Sequence, residues 1–175
     1  PTYEGLAADT RAIVRAVHAA SDHAMVIVDE AWGGHLQFHP QLPESAMSSG
    51  ADICVQSTHK LAGGLQQTGL IHWKTARVDS ELMEEAYREY VTTSPSYHLL
   101  ASADAAVRTL AARGEDELGR AIERTLELKE VLHARVPDLD RMDDPAWIAG
   151  HGDRIGGCDL VKTTVIRMAF ALAQE

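Results

Sequence analysis

Asp29 and Lys60 are the two side chains whose types and positions point most clearly to chemistry. Asp29 ends the apolar run Met25-Val26-Ile27-Val28, and Lys60 follows the run Ile53-Cys54-Val55. A buried lysine whose pKa is lowered by desolvation can act as a nucleophile and form a Schiff base. A carboxylate buried in the same pocket needs a cationic partner, because an unpaired buried charge is costly.

The two apolar runs predict buried parallel strands. Ligands of an open α/β sheet lie at the carboxyl ends of its strands, so Asp29 and Lys60 should meet in one crevice. The pyridinium nitrogen of pyridoxal phosphate would be a cation of the kind that Asp29 needs. Glu30 would face the opposite way along the strand, so Asp29 and Glu30 are not expected to form a general acid/base pair.

The residues before Lys60 offer donors to a phosphate ester. Gln56-Ser57-Thr58-His59 includes hydroxyl groups and an imidazole, and a phosphate accepts several hydrogen bonds. On an extended strand end, Ser57 and His59 would face one side while Thr58 and Lys60 face the other. A loop of small polar residues is the alternative, and the presence of Asp29 favours the site.

Other polar residues allow weaker interpretations. Trp32 and His35 lie in a glycine-rich turn, where they could wall a planar cofactor or pack against the loop. His35 and His39 have the spacing of metal ligands, but it needs a helix, which Pro40 and two glycines disfavour. A metal hydrolase that uses Asp29 with these histidines is therefore the least favoured alternative, and no metal is predicted.

Composition limits the class of protein. The chain has 175 residues, 45% of them hydrophobic, and a formal net charge of −10. This charge argues against nucleic acid or an anionic membrane surface as a partner. No apolar stretch is long enough to cross a bilayer, and there is no signal-peptide pattern. Cys54 and Cys158 are expected to be thiols in a reducing cytoplasm rather than a disulfide.

The hydrophobic pattern predicts an α/β fold with a domain boundary near Gly114. Further strands are expected at Thr68–Trp73 and Leu160–Met168, and a loop at Gly150–Gly157. Helices are expected at Leu6–Ala20, Ala46–Gly50, Glu81–Val91, Tyr97–Ala112 and Glu115–Arg135. Both termini look cut, which suggests an internal portion of a longer polypeptide.

Three segments together resemble the major domain of the bacterial Orn/Lys/Arg decarboxylase family. They are Val28-Asp29-Glu30-Ala31-Trp32-Gly33-Gly34-His35, Gln56-Ser57-Thr58-His59-Lys60 and Thr92-Thr93-Ser94-Pro95-Ser96-Tyr97. Pro1-Thr2-Tyr3-Glu4-Gly5 and Asp159-Leu160-Val161-Lys162-Thr163-Thr164 are also similar to the family. Each segment alone is weakly specific, but the ordered set is specific.

The resemblance implies the aspartate-aminotransferase-like fold of pyridoxal-phosphate enzymes, with a mainly parallel sheet. Residues 1–113 would be the C-terminal part of the cofactor-binding domain, and residues 114–175 the start of a smaller α+β domain. The activity implied is decarboxylation of arginine, lysine or ornithine in a cytoplasmic homodimer or higher oligomer, as part of polyamine and amino-acid metabolism.

The family's site residues transfer position by position. Lys60 would hold the cofactor, Asp29 would pair with its ring nitrogen, and His59 or Lys60 would reprotonate the product. Further cofactor contacts are implied for Ala31 against the ring, Trp32 near the ring oxygen, Ser57 and His59 at the phosphate, and Thr92, Thr93 or Ser94 at the partner subunit's cofactor phosphate.

Two departures from the family leave alternatives open. Many relatives have Ser-Gln-Ala-Ser where this chain has Gln66-Gln67-Thr68-Gly69, and the family's upstream phosphate cup and ring-stacking residue are absent from these 175 residues. The fragment alone is therefore expected to be inactive. Another pyridoxal-phosphate reaction, such as transamination, and a non-catalytic binding or regulatory relative are the competing interpretations.

Overall fold

The computed structural model describes residues 1–3, 5–136 and 160–163. They belong to two compact units. The sheet unit comprises Thr10–Gln37 and Glu44–Ala112, and the second unit comprises Pro1–Asp9, Phe38–Pro43 and the chain from Arg113 onward. Among the described residues, no helix has the length and apolar character needed to span a membrane.

Three strands form the sheet of the sheet unit: β2 (Ile27–Asp29), β3 (Ile53–Gln56) and β4 (Leu70–Trp73), in that spatial order. β2 and β3 are parallel, with Asp29 opposite Val55. β4 runs antiparallel to β3. The α/β class and the three strands are thus confirmed, although this three-stranded sheet is mixed rather than mainly parallel.

Only one face of this sheet is covered within the sheet unit. Val26 and Cys54 pack there with Val14 of α1 (Thr10–Ala20) and Ala46 of α2 (Ala46–Ser49). The opposite face exposes apolar side chains, namely Ile27 (64%), Val55 (43%) and Ile71 (41%). The expectation that the strands are buried on both sides is therefore wrong for the described chain, since nothing in it covers this second face.

The N-terminal helix begins later than its apolar pattern predicts. Leu6–Ala8 forms strand β1, which pairs antiparallel with β5 (Leu160–Thr163), and α1 starts only at Thr10. Backbone pairing with a distant segment has overridden the helical pattern at Leu6. The remainder of the predicted strand to Met168, the loop at Gly150–Gly157 and Cys158 lie outside the described residues.

The short helix α2 and its end at Gly50 are confirmed, and the structure adds a cap at its N-terminus. Ser45 accepts a hydrogen bond from the Ser48 backbone N–H at the N-terminus. Gly50 closes the helix at φ +105°, a conformation that glycine adopts without a steric penalty. Gly50 was a sufficient signal for the end of this helix because its effect is local.

The later helices differ from expectation at one point. α4 (Ser80–Tyr90) is confirmed, and Asp79 caps it by accepting from the backbone N–H groups of Glu81 and Leu82. α5, however, is one continuous helix from Tyr97 to Arg135, so the predicted break at Gly114 is wrong. One interior glycine costs a helix only about 1 kcal/mol, and an Arg113–Glu117 ion pair spans it. A domain boundary at Gly114 stays a prediction.

Asp52, at the amino end of β3, is a buried electrostatic centre of the sheet unit. Its side chain is fully buried, and its carboxylate accepts from the Val26 N–H at 2.7 Å. The carboxylate also pairs with His18 Nε2 and with Arg77 Nε, each at 2.8 Å. Asp52 therefore ties α1, the start of β2 and the turn after β4 to one point.

The charge of Asp52 is favoured in the folded state. Burial raises the pKa of this carboxyl, but the Val26 hydrogen bond, His18 and the Arg77 charge more than offset burial, so the pKa lies below 3.8. Because the folded-state pKa is depressed, the stability that Asp52 contributes is present above pH 3.8 and is lost as the pH falls below it.

We predict that Asp52→Asn lowers the free energy of unfolding by about 2–4 kcal/mol, because it leaves Arg77 without its buried counter-ion. Urea denaturation at neutral pH measures the change. The matched control is Asp104→Asn, which removes an exposed ion pair with Arg108 on α5 and should leave the free energy of unfolding nearly unchanged. Equal losses in the two variants would contradict this role of Asp52.

Candidate active site

The segment that carries Lys60 is helical rather than extended. Thr58–Leu61 forms the short helix α3 directly after β3. Ser57 occupies the N-cap position, and its backbone carbonyl accepts from the Lys60 N–H at 3.3 Å. The expected alternation of Ser57 and His59 against Thr58 and Lys60 is therefore wrong, since side chains of a helix do not alternate between two faces.

Lys60 and Trp32 lie together, as expected for residues of one site. Lys60 Nζ is 4.8 Å from the centroid of the Trp32 ring, which is within cation–π distance. Both side chains are half-buried. The turn after β2 thus contacts the helix after β3, and the carboxyl ends of two neighbouring parallel strands contribute to the same place.

The turn that carries Trp32 needs glycine for this approach. A Cβ atom on Gly34 would lie only 3.3 Å from the Ala62 Cβ and 3.9 Å from the Ser57 carbonyl oxygen. The glycine therefore allows the backbone after Asp29 to pack against the residues around Lys60. The glycine pair in the sequence was the signal for such a close approach.

Asp29 is more exposed than expected. It lies on the uncovered face of the sheet, so the expectation of a carboxylate deep in a pocket is wrong for the described chain. Its Oδ1 accepts from the Ala31 backbone N–H at 2.9 Å. In the described part of the chain, no hydrogen bond or ion pair engages Oδ2. This oxygen is free to accept from a cationic ring nitrogen.

His59 has its ring orientation set by Thr68. His59 Nδ1 lies 2.8 Å from the Thr68 carbonyl oxygen, and because a carbonyl only accepts, Nδ1 carries the proton. The Nε2 atom is then the one left for a ligand. A phosphate accepts hydrogen bonds, so a contact between His59 and a phosphate would use Nε2 carrying a proton, with the ring in its imidazolium form.

The loop from Gly63 to Gly69 packs against α3. The sequence analysis did not predict this contact. Thr68 is buried, and its hydroxyl lies 2.5 Å from that of Thr58. A Cβ on Gly64 would collide with both hydroxyl groups, at 2.7 and 2.9 Å. Gln67 adopts a left-handed backbone conformation with φ +72°. Thr68, in the segment that departs from the family pattern, therefore supports α3 through Thr58 and His59.

The hydroxyl-rich turn Thr92–Ser94 is exposed. Its hydrogen bond is local, since the Ser94 N–H donates to Thr92 Oγ1 at 3.1 Å. α5 begins afterwards at Tyr97, where the Leu100 N–H donates to the Ser96 carbonyl. A role of Thr92, Thr93 or Ser94 at a partner subunit stays a prediction.

His35 is completely buried and so does not wall an open cofactor site. Neither of its ring nitrogens has a hydrogen-bond partner among the described residues. Burial lowers the pKa of His35 from 6.5 to about 4, so the imidazole is neutral at physiological pH. In the described ranges, no three metal-ligand side chains of the His, Cys, Asp or Glu type lie close enough to hold a metal ion.

Comparison with known proteins shows that the chain is similar to the members of one protein family. A family model described as "Orn/Lys/Arg decarboxylase, major domain" matches residues 1–148. An arginine decarboxylase from Bacillus anthracis is 40% identical over 145 residues, which are 83% of this chain and 28% of that protein. The chain thus spans little more than a quarter of the length of this relative.

Two solved structures share the fold. The constitutive lysine decarboxylase of Escherichia coli matches with a TM-score of 0.63 and 31% identity, over 79% of this chain and 20% of that one. Lysine decarboxylase A from Pseudomonas aeruginosa matches with a TM-score of 0.68 and 24% identity, over 80% of this chain and 20% of that one. These similarities confirm the expected fold.

We predict that His35 makes folding sensitive to mild acid. Because its pKa is depressed in the folded state, the unfolded chain binds a proton that the folded chain does not, so stability falls as the pH drops from 6.5 to about 4. The loss attributable to His35 is about 3 kcal/mol. His35→Phe should flatten the pH dependence of the unfolding free energy in this range, measured by urea titrations.

The exposed His23 provides the control, since His23→Phe should leave the pH dependence unchanged. An undiminished acid-induced loss of stability in His35→Phe would contradict the assignment.

Proposed function

The chain belongs to the Orn/Lys/Arg decarboxylase family, and we propose from this membership that the protein is a pyridoxal-phosphate-dependent decarboxylase of arginine, lysine or ornithine. The products would be the corresponding amine and carbon dioxide. Matched residues 1–148 and the similarity to arginine and lysine decarboxylases support the proposal. The activity is proposed for the protein as a whole, because the chain covers only part of these relatives.

The observation that carries the proposal is the contact between Lys60 and Trp32 at the ends of two neighbouring parallel strands, the first of which ends at Asp29. Lys60 Nζ lies over the Trp32 ring, and Asp29 Oδ2 is unengaged in the described chain. Pyridoxal phosphate requires an amine that attaches it and a carboxylate that pairs with its ring nitrogen, and Lys60 and Asp29 supply these two groups at adjacent strand ends. The residues present therefore fit this cofactor.

When bound, pyridoxal phosphate supplies an electron sink for the electron pair left by the departing carbon dioxide. Asp29 would hold a proton on the ring nitrogen through Oδ2, while the Ala31 N–H fixes its other oxygen. Lys60 would attach the cofactor covalently through Nζ. Ala31 would pack on the ring, and Trp32 would lie near the ring oxygen.

The phosphate end would be held by α3 and its N-cap. Ser57 makes no side-chain hydrogen bond to the helix that it caps, and its hydroxyl has no other hydrogen bond within the described ranges, so it would be available for this role. His59 would contribute Nε2, because Thr68 engages Nδ1. Once the substrate has lost its carboxylate, Lys60 or His59 would deliver a proton to the α-carbon.

The wider setting of the enzyme is part of the same proposal. A homodimer or higher oligomer would bring Thr92, Thr93 or Ser94 to the cofactor phosphate of the partner subunit. The net charge of −10 suits a small cationic amino acid better than nucleic acid or an anionic membrane. Cys54 is a buried free thiol, which agrees with a cytoplasmic enzyme of polyamine metabolism.

We predict that borohydride reduction of the purified enzyme with pyridoxal phosphate places a pyridoxyl group on Lys60, identified by peptide mass analysis. Lys60→Ala should abolish the adduct. The matched control is Lys74→Ala, which removes another half-buried lysine just after β4 and should leave the adduct intact. An adduct confined to another lysine would remove Lys60 from this role.

We predict that Asp29→Ala lowers kcat by at least about a hundredfold while the Lys60 adduct still forms, because the ring nitrogen loses its counter-ion. Release of labelled carbon dioxide from arginine, lysine and ornithine measures turnover. Asp79→Ala, which removes only the cap of α4, should leave kcat unchanged. Unchanged turnover in Asp29→Ala would contradict the assignment, and keto-acid formation would indicate transamination instead.

A further inference from the structure

Glu30 is a buried carboxylate that the proposed mechanism does not use. Its side chain is 3% exposed, and no described cation pairs with it. It accepts from the Ala46 backbone N–H at 2.7 Å, from Gln56 Nε2 at 2.6 Å and from Cys54 Sγ at 3.5 Å. A buried charge without a counter-ion persists only when hydrogen bonds compensate its lost hydration, as these do.

The hydrogen bonds around Glu30 have one consistent direction. An ionised carboxylate only accepts, so the Gln56 amide must turn its NH₂ group towards Glu30. The Gln56 Oε1 atom then accepts from His72 Nε2 at 3.1 Å. Burial, followed by the charge of Glu30, raises the pKa of Cys54 to about 12, which keeps that thiol a donor.

This network connects the parts of the sheet unit that present the candidate site. Glu30 follows Asp29 at the end of β2, Gln56 ends β3 just before Ser57, and His72 lies on β4. The backbone ladder continues through the same point, where the Glu30 N–H donates to the Val55 carbonyl at 2.9 Å. The network therefore holds the carboxyl ends of β2 and β3 next to each other and links them to β4.

The turn that carries Ala31 and Trp32 also rests on Glu30. The Gly33 N–H donates to the Glu30 carbonyl at 2.8 Å. A Cβ on Gly33 would collide with Glu30 Cγ, so this turn packs directly over the buried side chain. Displacement of the Glu30 side chain would consequently move the turn and the Trp32 ring with it.

We propose that Glu30 is a positioning residue, which holds Asp29, Trp32 and Lys60 in their working arrangement through Gln56 and Gly33 without touching the reacting groups. This inference rests on the proposed function. Its chemical basis is that the two carboxylate oxygens accept separately, one from the Ala46 N–H and the other from the Gln56 amide, in the orientation that leaves Gln56 Oε1 to His72.

Glu30→Gln tests the proposal with little change in volume. The new amide has one acceptor oxygen, so when this oxygen accepts from the Ala46 N–H the new NH₂ group faces the Gln56 NH₂. The two donors then oppose each other, unless the Gln56 amide reverses and turns its NH₂ towards His72. We expect the visible absorption spectrum of the bound cofactor to change, cofactor affinity to fall about tenfold, and kcat to fall about ten- to a hundredfold.

The reciprocal double variant, Glu30→Gln with Gln56→Glu, distinguishes positioning from general packing. The introduced amide would accept from the Ala46 N–H and donate to the introduced carboxylate, whose second oxygen would accept from His72. The double variant should recover the cofactor spectrum and bring kcat to within about fivefold of the original enzyme. A double variant whose kcat is lower than that of either single variant would overturn the proposal.

Asp52→Asn is the stability control, because it weakens the opposite end of β3 and should lower the thermal midpoint without altering the cofactor spectrum. A Glu30→Gln enzyme with a lower thermal midpoint but an unchanged spectrum and kcat would also overturn the proposal. Should Glu30→Gln not fold, His72→Leu removes only the outer donor, and an unchanged cofactor spectrum in that variant would count against the network.

The Lys60 adduct separates this inference from the function on which it rests. If the unsubstituted enzyme forms no adduct, both the proposed function and the positioning role of Glu30 are contradicted. An adduct in that enzyme, with Glu30→Gln indistinguishable from it, would remove the positioning role alone.

Discussion

The parallel pairing of β2 with β3 is the constraint on which the candidate site depends. The register places Asp29 beside Val55, and the ladder continues one residue further through the Glu30 N–H. Because parallel strands end at the same edge, the turn after β2 and the helix after β3 must share that edge. The contact between Lys60 and Trp32 is a direct consequence of this pairing.

Buried carboxylates secure both ends of the pairing in different ways. Asp52 at the amino end is paired with Arg77 and His18, so its charge is neutralised locally. Glu30 at the carboxyl end has hydrogen-bond donors instead of a described cation. The two ends therefore combine a stabilising ion-pair centre with a polar network beneath the candidate active site, and Asp29 keeps an oxygen for a ligand.

The sequence was informative where local signals decide the structure. The apolar runs located β2 and β3, and Gly50 located the end of α2. The sequence misled where tertiary pairing or helix continuity decides, as for Leu6 in β1 and Gly114 within α5. It also predicted an extended end at Lys60, because an alternating pattern of polar residues does not distinguish a strand end from one helical turn.

Long-range hydrogen bonds account for the parts of the site that were missed. Thr68 supports His59 across nine residues, and Gln56 meets Glu30 across twenty-six. No spacing rule links such pairs, so only the folded chain brings them together. The exposure of Asp29 was missed for a different reason. The apolar run before Asp29 predicts a strand buried on both faces, but no described residue packs on the face of the sheet that carries Asp29.

The most direct test of the proposed function is an experimental structure of the protein with pyridoxal phosphate bound. We predict covalent density between Lys60 Nζ and the cofactor, and Asp29 Oδ2 within about 3 Å of the ring nitrogen. A cofactor attached to a different lysine, or a ring nitrogen that faces a group other than Asp29, would contradict it.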